Sequence, residues 1–195
     1  MRLFCFLMID IVPYQSAWPT EFHGIAATLR QALGDMALRI DHIGSTAVPG
    51  LAAKDVIDVQ ITAAELDDDL ELEMNTLGYL RPEGVWRDHC PPNATGPDSD
   101  WAKWFFRAPT GQRRTNTHVR LHGRPNQRYP LLFRDYLRAH PASAAAYAEL
   151  KRRLAENLAD WETYPYVKDP AVDLIYFAAE DWAVATGWQM GPTDA

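Results

Sequence analysis

The residues best suited to chemistry lie in the segment 41–61, which reads DHIGSTAVPGLAAKDVIDVQI. The turn Gly44-Ser45-Thr46 follows a predicted strand. Backbone amides in such a turn, with the N-terminus of a following helix, bind anions. Asp58 lies on the next predicted strand, where a carboxylate could hold a divalent cation near that anion. A phosphate at the turn and a metal ion at Asp58 are the minimal arrangement for chemistry on a nucleotide.

Lys54 lies between this turn and Asp58, where a phosphate contact is attractive. The segment is not a Walker A phosphate loop, because Lys54 is not adjacent to Gly50 and no Ser or Thr follows it. A glycine-serine turn also occurs without any ligand. The prediction of a phosphate site therefore depends on its combination with Asp58.

A predicted strand over residues 116–121 places His118, Arg120 and the following His122 on one face. His118 and His122 would lie about 13 Å apart at 3.3 Å per residue, so the pair does not suit a zinc ion. We predict an anion-binding face, with His118 as an acid–base group or a phosphate ligand. A solvated charged hairpin is the alternative. Other basic residues of this face would be Lys103, Arg107, Arg113 and Arg114.

Two further segments carry candidate site residues. Asp88 lies in a proline- and glycine-rich loop over residues 82–100, and long loops of this kind are more often functional than structural. Asp88 could handle a proton or complete a metal shell, or it could hydrogen-bond its own turn. Lys168 could reach a phosphate, while Asp169 before Pro170 is typical of a helix N-terminus.

The elements that must position these residues follow from hydrophobic spacing and turn signals. Apolar residues at helical spacing from Trp18 to Leu33 predict a helix that ends at Gly34. Strands are predicted at 37–43, 56–61 and 79–81, a hairpin at 101–107 and 116–121, and helices at 65–77, 131–139, 143–158 and 172–186. The expected fold class is α+β in one domain over residues 1–195, with the sheet first and a helical C-terminal part.

Composition excludes several classes of protein. A net charge of −7 and a pI near 5.3 argue against a general affinity for nucleic acid backbones. No apolar run approaches the roughly 18 residues that span a membrane. Two cysteines without CxxC spacing suit a reducing compartment, and residues 1–9 indicate a leader or buried strand and not an export signal. We predict a cytoplasmic protein with a small-molecule substrate, and its helical surfaces permit a homodimer.

Several longer motifs resemble one family. The segment HIGSTAVPGLAAK at 42–54, followed by Val-Ile-Asp58, is similar to the signature of the GrpB (UPF0157) family. Further matching segments are VPY at 12–14, WRDHCPP at 86–92, NTHVR at 116–120 and LFRDYLRAHP at 132–141. The similarity covers nearly the whole chain. That family resembles the nucleotidyltransferase superfamily in fold, so the resemblance implies a nucleotidyltransferase-like mixed sheet flanked by helices.

The resemblance also implies roles for individual residues. In the superfamily the glycine-serine turn holds a triphosphate, which places His42 and the turn in a phosphate-binding segment. Two carboxylates spaced two apart on a strand hold magnesium; Asp58 matches the first, whereas Gln60 stands at the second and offers only a carbonyl oxygen. No Asp or Glu occurs at 116–121. The carboxylate set is thus incomplete, and a single Mg²⁺ that bridges phosphates to Asp58 is the form that fits.

Three functions remain open. The first is a magnesium-dependent nucleotidyltransferase or nucleotide-activating enzyme, which uses a nucleoside triphosphate and acts on a small-molecule acceptor. The second is a non-catalytic module for a nucleotide or a coenzyme A-related ligand, since members of the family occur fused to dephospho-coenzyme A kinase. The third uses the same basic pocket on an anionic small molecule without nucleotide. In the first, His118 or Asp88 would handle the proton, and phosphate charge would be offset by Lys54, Lys103, Arg107, Arg120 and Lys168.

Overall fold

The computed structural model describes residues 9–92, 94–158, 160 and 163–195, so the predicted leader or strand at residues 1–9 lies outside the described part except for Ile9. The α-helices are α1 Trp18–Leu33, α2 Asp68–Thr76, α3 Pro125–Ala139, α4 Pro141–Asn157 and α5 Tyr164–Thr186. The strands are β1 Ala37–Ile43, β2 Ile57–Ala63, β3 Trp104–Arg107 and β4 Thr115–Leu121. None of the described helices combines the length and the apolar character that a membrane span requires.

The four strands form one mixed sheet in the order β1-β2-β4-β3. β1 runs antiparallel to β2, and β3 runs antiparallel to β4. β2 and β4 are parallel, which sets Asp58 beside Asn116 and Gln60 beside His118. Side chains alternate between the two faces along each strand, and laterally paired residues share a face. The parallel pair therefore brings the carboxylate-bearing strand and the basic strand together on one face of the sheet.

Helix α1 covers the opposite face. Its buried residues recur every three or four positions, the spacing of one helical face: Trp18, Phe22, Ala26, Leu29 and Leu33. They form an apolar cluster with Ile57, Val59 and Ile61 of β2. A proline in the first turn favours the start of the helix, and Gly34 ends it with φ of 51°. The bounds of α1 and β1 are those predicted from the sequence.

Helices α3, α4 and α5 lie on the polar side of the sheet. They form a second apolar cluster, which includes Val48, Leu132, Leu137, Tyr147 and Ala179. The sheet is thus enclosed between two sets of helices. The α+β architecture, with a mixed sheet flanked by helices and a helical C-terminal part, confirms the predicted fold class.

Several elements differ from the prediction by a few residues, and three of them differ more. The expected strand at 79–81 is a single bridge between Leu80 and Arg107. Helix α3 begins at Pro125 and not at 131, with a second proline inside it. Helix α5 begins at Tyr164 and not at 172, because a proline already occupies its first turn, and Pro170 lies within it. Asp169 is therefore inside a helix, and its predicted place at a helix N-terminus is wrong.

Candidate functional site

A cavity of about 520 Å³ opens between the polar face of the sheet and helices α3, α4 and α5. Its volume lies in the range of small-molecule sites. Many of the candidate residues identified in the sequence line it: Gly44, Ser45, Thr46, Lys54, Asp58, Asp88, Lys103, His118, Arg120 and Lys168. The fold therefore gathers the turn, both strands, the long loop and the start of α5 around one space.

Gly44, directly after the C-terminal end of β1, is in close contact with Asp58. Gly44 has φ of 70° and ψ of −169°, a region almost exclusive to glycine. A Cβ atom on Gly44 would overlap Asp58 Oδ2 and lie 2.9 Å from Asp58 Cγ. The other carboxylate oxygen, Oδ1, accepts a 2.8 Å hydrogen bond from Asn116 Nδ2. Burial raises the pKa of Asp58, against the opposing effects of Asn116 and Lys168.

The turn itself differs from the expected helix start. Residues Ser45–Ala47 form a single 3₁₀ turn, which is too short to supply the dipole of an extended helix. The positive charge at this end of the cavity comes from side chains instead. They belong to Lys54, Lys151 and Lys168, all of which line the cavity.

Lys151 extends from α4 to the turn. Its Nζ donates a hydrogen bond to the Ala52 carbonyl and lies 2.8 Å from Ser45 Oγ. Burial and the positive charge of Lys168 together lower the pKa of Lys151 to about 7. Burial likewise lowers the pKa of Lys54 to about 8, and its Nζ sits 4.0 Å from the centre of the Tyr164 ring. Both ammonium groups are poorly solvated, so an anion would stabilise their charged forms.

Lys151 is not among the predicted site residues, although the sequence carries a signal for it. Ala144, Tyr147, Ala148 and Lys151 are all buried and follow i, i+3, i+4, i+7 spacing. A lysine on the buried face of an alanine-rich helix indicates either an ion pair or a functional site. Asn116, the partner of Asp58, was also missed as a site residue.

Asp88 lies at the centre of a buried ionic network. Its carboxylate accepts two 2.8 Å hydrogen bonds from Arg120 and one of 2.6 Å from Lys103 Nζ. Asn126 Nδ2 donates a further bond of 3.1 Å. Burial alone would raise the pKa of Asp88, but Arg120 and Lys103 outweigh it and hold the pKa well below its usual range. Asp88 is therefore a permanent counter-ion and is poorly suited to carry a proton near neutral pH.

The partners of His118 define its tautomer. Its Nδ1 lies 3.2 Å from Lys103 Nζ and 3.5 Å from Arg120 Nη2. Both groups can only donate, so Nδ1 accepts and the neutral ring carries its hydrogen on Nε2. Burial and these two cations lower the pKa of His118 well below its ordinary value. His118 is thus arranged as a hydrogen-bond donor through Nε2 and not as a base.

Several predicted residues lie away from the cavity. His42 pairs with Val59 across β1 and β2, which turns it to the α1 face, where it stacks on Phe22 at 4.6 Å. Gln60 is fully buried in the sheet beneath the cavity. Its Oε1 accepts a hydrogen bond from Arg120, and its Nε2 donates one to the Gln127 carbonyl. Arg107 is on the edge strand β3 and lines a separate depression.

The remaining basic residues of the predicted anion-binding face also point elsewhere. Arg113 pairs with Glu21 at 2.8 Å and with Asp55. Arg114 lines the separate depression with Arg107. The basic side chains of the hairpin are therefore divided between two places, and only Lys103, His118 and Arg120 face the cavity.

The long loop over residues 82–100 is held at two adjacent positions. Asp88 binds the sheet through the ionic network, and His89 Nε2 lies 3.0 Å from both carboxylate oxygens of Asp173 on α5. Cys90 follows and is free and exposed. The loop thus links the sheet to the helical part across the rim of the cavity.

The cavity offers few ligands for a metal ion. Among the described residues, no group of three or more His, Cys, Asp or Glu side chains is arranged to hold one. Gln60 and Asp88, the expected additional ligands, give their oxygens to Arg120 and Lys103. Asp58 and Asp169 are the carboxylates that remain beside the lysines. So small a set suits an ion that enters with phosphate groups better than one held by protein alone.

The buried His42 predicts a dependence of stability on pH. Burial lowers its pKa to about 4, whereas the unfolded chain has a value near 6.5. Between these values the unfolded state binds more protons, so stability falls as the pH drops from about 6.5 to about 4, by about 3 kcal/mol in total. Urea unfolding across this range should show a smaller loss in His42→Asn than in wild type. The control is His23→Asn, at an exposed position on α1. Equal acid sensitivity in all three proteins would contradict this assignment.

Comparisons with known proteins identify relatives across most of the chain. The sequence model of the family described as GrpB protein matches residues 8–177. A UPF0157 protein of Halalkalibacterium halodurans is 32% identical over 173 residues, which cover 86% of this chain and 78% of that protein. The crystal structure of the conserved protein GrpB from Enterococcus faecalis superposes with a TM-score of 0.72 at 30% identity, covering 89% of this chain and 99% of that chain.

Longer proteins also match. A protein of Mycolicibacterium paratuberculosis named dephospho-CoA kinase is 40% identical over 197 residues, which cover 93% of this chain and 48% of that protein. The chain thus spans about half the length of these relatives. A structure of Cid1 in complex with its short product ApU superposes with a TM-score of 0.48 at 15% identity, covering 74% of this chain and 42% of that one. At this identity and TM-score the similarity indicates nothing about activity.

Proposed function

The chain belongs to the GrpB family, and we propose that its cavity binds the phosphate groups of a nucleoside triphosphate for transfer of a nucleotidyl group to, or activation of, a small-molecule acceptor. One observation carries the proposal. Lys54, Lys151 and Lys168 line the cavity together with the Gly44-Ser45 turn and two carboxylates, those of Asp58 and Asp169. Three basic groups beside two carboxylates leave an excess of positive charge that a polyphosphate would neutralise.

The remaining walls suit the uncharged part of such a ligand. Aromatic residues line the cavity on the helical side: Tyr129, Phe133, Tyr147 and Tyr164. Aromatic side chains provide large contact areas for a flat ring and hold it at low entropic cost. Opposite them, His118 offers a hydrogen-bond donor. Tyr164 and Tyr147 already contact Lys54 and Lys151, so Tyr129 and Phe133 are the aromatic groups left for a base. The cavity thus offers a cationic part for phosphates and an aromatic part for a base.

Magnesium would enter with the nucleotide and be held by Asp58, because magnesium at such sites takes one or two protein carboxylates together with phosphate oxygens. When bound, it would offset phosphate charge alongside the lysines. The residues of the chain itself bind the phosphates, orient them and exclude water. No second carboxylate is available from Gln60 or Asp88, so the arrangement for two metal ions is incomplete.

Nucleotide binding should stabilise the folded chain. At a ligand concentration of about 100 times Kd the expected gain is about 2.7 kcal/mol, which is several degrees in Tm for a domain of this size. The measurement is a thermal-shift titration with ATP, GTP, CTP and UTP, each with and without magnesium. Coenzyme A belongs in the panel because longer relatives are named dephospho-CoA kinases.

Lys168→Met is the informative variant in this titration. Loss of one charge-assisted contact to phosphate should weaken binding by roughly 10- to 100-fold. The matched control is Arg153→Met, which removes a cation from the exposed side of α4, outside the cavity. Equal shifts in wild type and Lys168→Met would contradict phosphate binding at this place. No shift with any nucleotide, in a folded protein, would leave an anionic small molecule without nucleotide as the ligand.

A second candidate is a non-catalytic module that binds a nucleotide or a coenzyme A-related molecule. It is favoured by Gln60, which stands at the position of the second carboxylate and whose amide is saturated by Arg120 and Gln127. The two candidates differ in turnover. The enzyme consumes nucleotide in the presence of magnesium and a pool of acceptors, whereas the module binds and releases it unchanged.

A further inference from the structure

Ser45 and Lys151 form a hydroxyl–amine pair at the cationic end of the cavity. The atoms concerned, Ser45 Oγ and Lys151 Nζ, are 2.8 Å apart although the residues are 106 positions apart in the sequence. Lys151 is 3% exposed and is held by the Ala52 carbonyl, with its Nζ 4.7 Å from the centre of the Tyr147 ring. A nucleophile in hydrogen-bond reach of a base that a third group orients is the signature of an activated nucleophile.

The protonation chemistry of the pair agrees with this geometry. Burial, together with the nearby cations Lys168 and Arg152 and against the opposing effect of Asp58, lowers the pKa of Lys151 to about 7. A neutral amine has two N–H groups and one lone pair. It can donate to the Ala52 carbonyl and still accept the hydroxyl proton of Ser45. The same contacts therefore serve both the charged and the neutral form.

Ser45 is the more exposed of the two hydroxyls at this turn. The neighbouring Thr46 also has a basic partner, since its Oγ1 is 3.0 Å from His42 Nε2, but Thr46 is only 1% exposed. Gly44, on the other side, has no side chain to shield the approach to Ser45. Lys54 and Lys168 remain beside the pair for the charge of a leaving phosphate.

We propose that Ser45 is a nucleophile that forms a covalent nucleotidyl ester, with Lys151 as its general base. Ser45 Oγ attacks the α-phosphorus of the bound nucleoside triphosphate, and Lys151 Nζ takes the hydroxyl proton. The bond between the α-phosphorus and the oxygen that bridges to the β-phosphate breaks, and pyrophosphate leaves. The step is a substitution at phosphorus without redox change. It rests on the proposed function and adds a covalent intermediate, from which the acceptor would receive the nucleotidyl group.

The test is the intact mass of the full chain after incubation with ATP and magnesium. Wild type should gain the mass of one adenylyl group, and peptide mapping should place it on Ser45. Ser45→Ala should gain none. Lys151→Arg keeps a positive charge but cannot accept a proton near neutral pH, so adduct formation should slow by about 100-fold or more, as expected for loss of a general base. Arg153→Met, on the exposed side of the same helix, should react as wild type does.

A pH series gives a readout that folding defects cannot imitate. Binding of ATP, measured by thermal shift, should weaken from pH 7 to pH 9 as Lys151 and Lys54 lose their protons. Adduct formation by saturated wild type should accelerate over the same range, because only the neutral amine is a base. If Lys151→Arg does not fold, Ser45→Cys provides a second test, because a thiolate needs less help from a base than a hydroxyl does. The double variant Ser45→Cys/Lys151→Met should therefore still form the adduct, on the cysteine.

The two proposals fail in different ways. Wild type that binds ATP but gains no mass, or gains it on a residue other than Ser45, overturns the covalent step and leaves nucleotide binding intact. Wild type that neither binds nor reacts with any nucleotide overturns both.

Discussion

Replacement of Asp88 by alanine should lower the free energy of unfolding by about 3–5 kcal/mol, because it leaves two buried cations without their counter-ion. Arg120 and Lys103 are 4% and 8% exposed, and both are bonded to this carboxylate. Chemical denaturation measures the loss. Asp88 also holds Lys103 and Arg120 in place beside His118. The same substitution should therefore lower the affinity for nucleotide as well as the stability.

A neighbouring ion pair provides the control. Asp98 lies in the same loop and pairs with Arg87, but its side chain is 81% exposed. Asp98→Ala should therefore cost no more than about 1 kcal/mol. Similar losses in Asp88→Ala and Asp98→Ala would contradict the central role of the buried network. Since the pKa of Asp88 lies below its unfolded value of about 3.9, its contribution is fully present above that pH and is lost on acidification.

Gly44→Ala should abolish the nucleotide-dependent thermal shift and destabilise the fold by about 1–3 kcal/mol from backbone strain alone. The added methyl group would also displace the Asp58 carboxylate, which lies against Gly44. Gly50→Ala is the matched control: Gly50 has φ of 79°, but nothing lies within 4 Å of its added Cβ. Gly50→Ala should therefore lose stability from backbone strain but keep the nucleotide-dependent thermal shift.

The double variant Gly44→Ala/Asp58→Ala separates the two effects. If the collision with Asp58 contributes, the double variant should be more stable than the sum of the single losses predicts. Strict additivity would instead attribute the whole cost to the backbone conformation. Thermal unfolding of the four proteins without ligand gives the comparison.

Local patterns were sufficient for much of the architecture. The apolar spacing of α1, with a proline at its start and Gly34 at its end, predicted that helix with correct bounds. The alternation of side chains along a strand predicted that His118 and Arg120 share a face, and both line the cavity. These features depend on neighbours within a few positions, so the sequence alone contains them.

Other features depend on contacts between distant segments. The role of Asp88 as a counter-ion follows from its burial against β4 and could not be read from a loop composition. His42 lies next to the turn in sequence, but the register of β1 against β2 sets it beside Val59, on the opposite face from Asp58. Lys151 reaches Ser45 only because α4 packs over the turn. In each case the deciding information is the three-dimensional register, which no short motif encodes.

The parallel pairing of β2 and β4 also has a kinetic consequence. Asp58 and its partner Asn116 are 58 positions apart, and the intervening chain includes α2, the long loop and β3. Closing so long a segment is entropically costly, and such non-local pairings tend to form late in folding. A ligand that requires this pairing would recognise only the nearly complete native chain. It should therefore slow unfolding while leaving the folding rate almost unchanged.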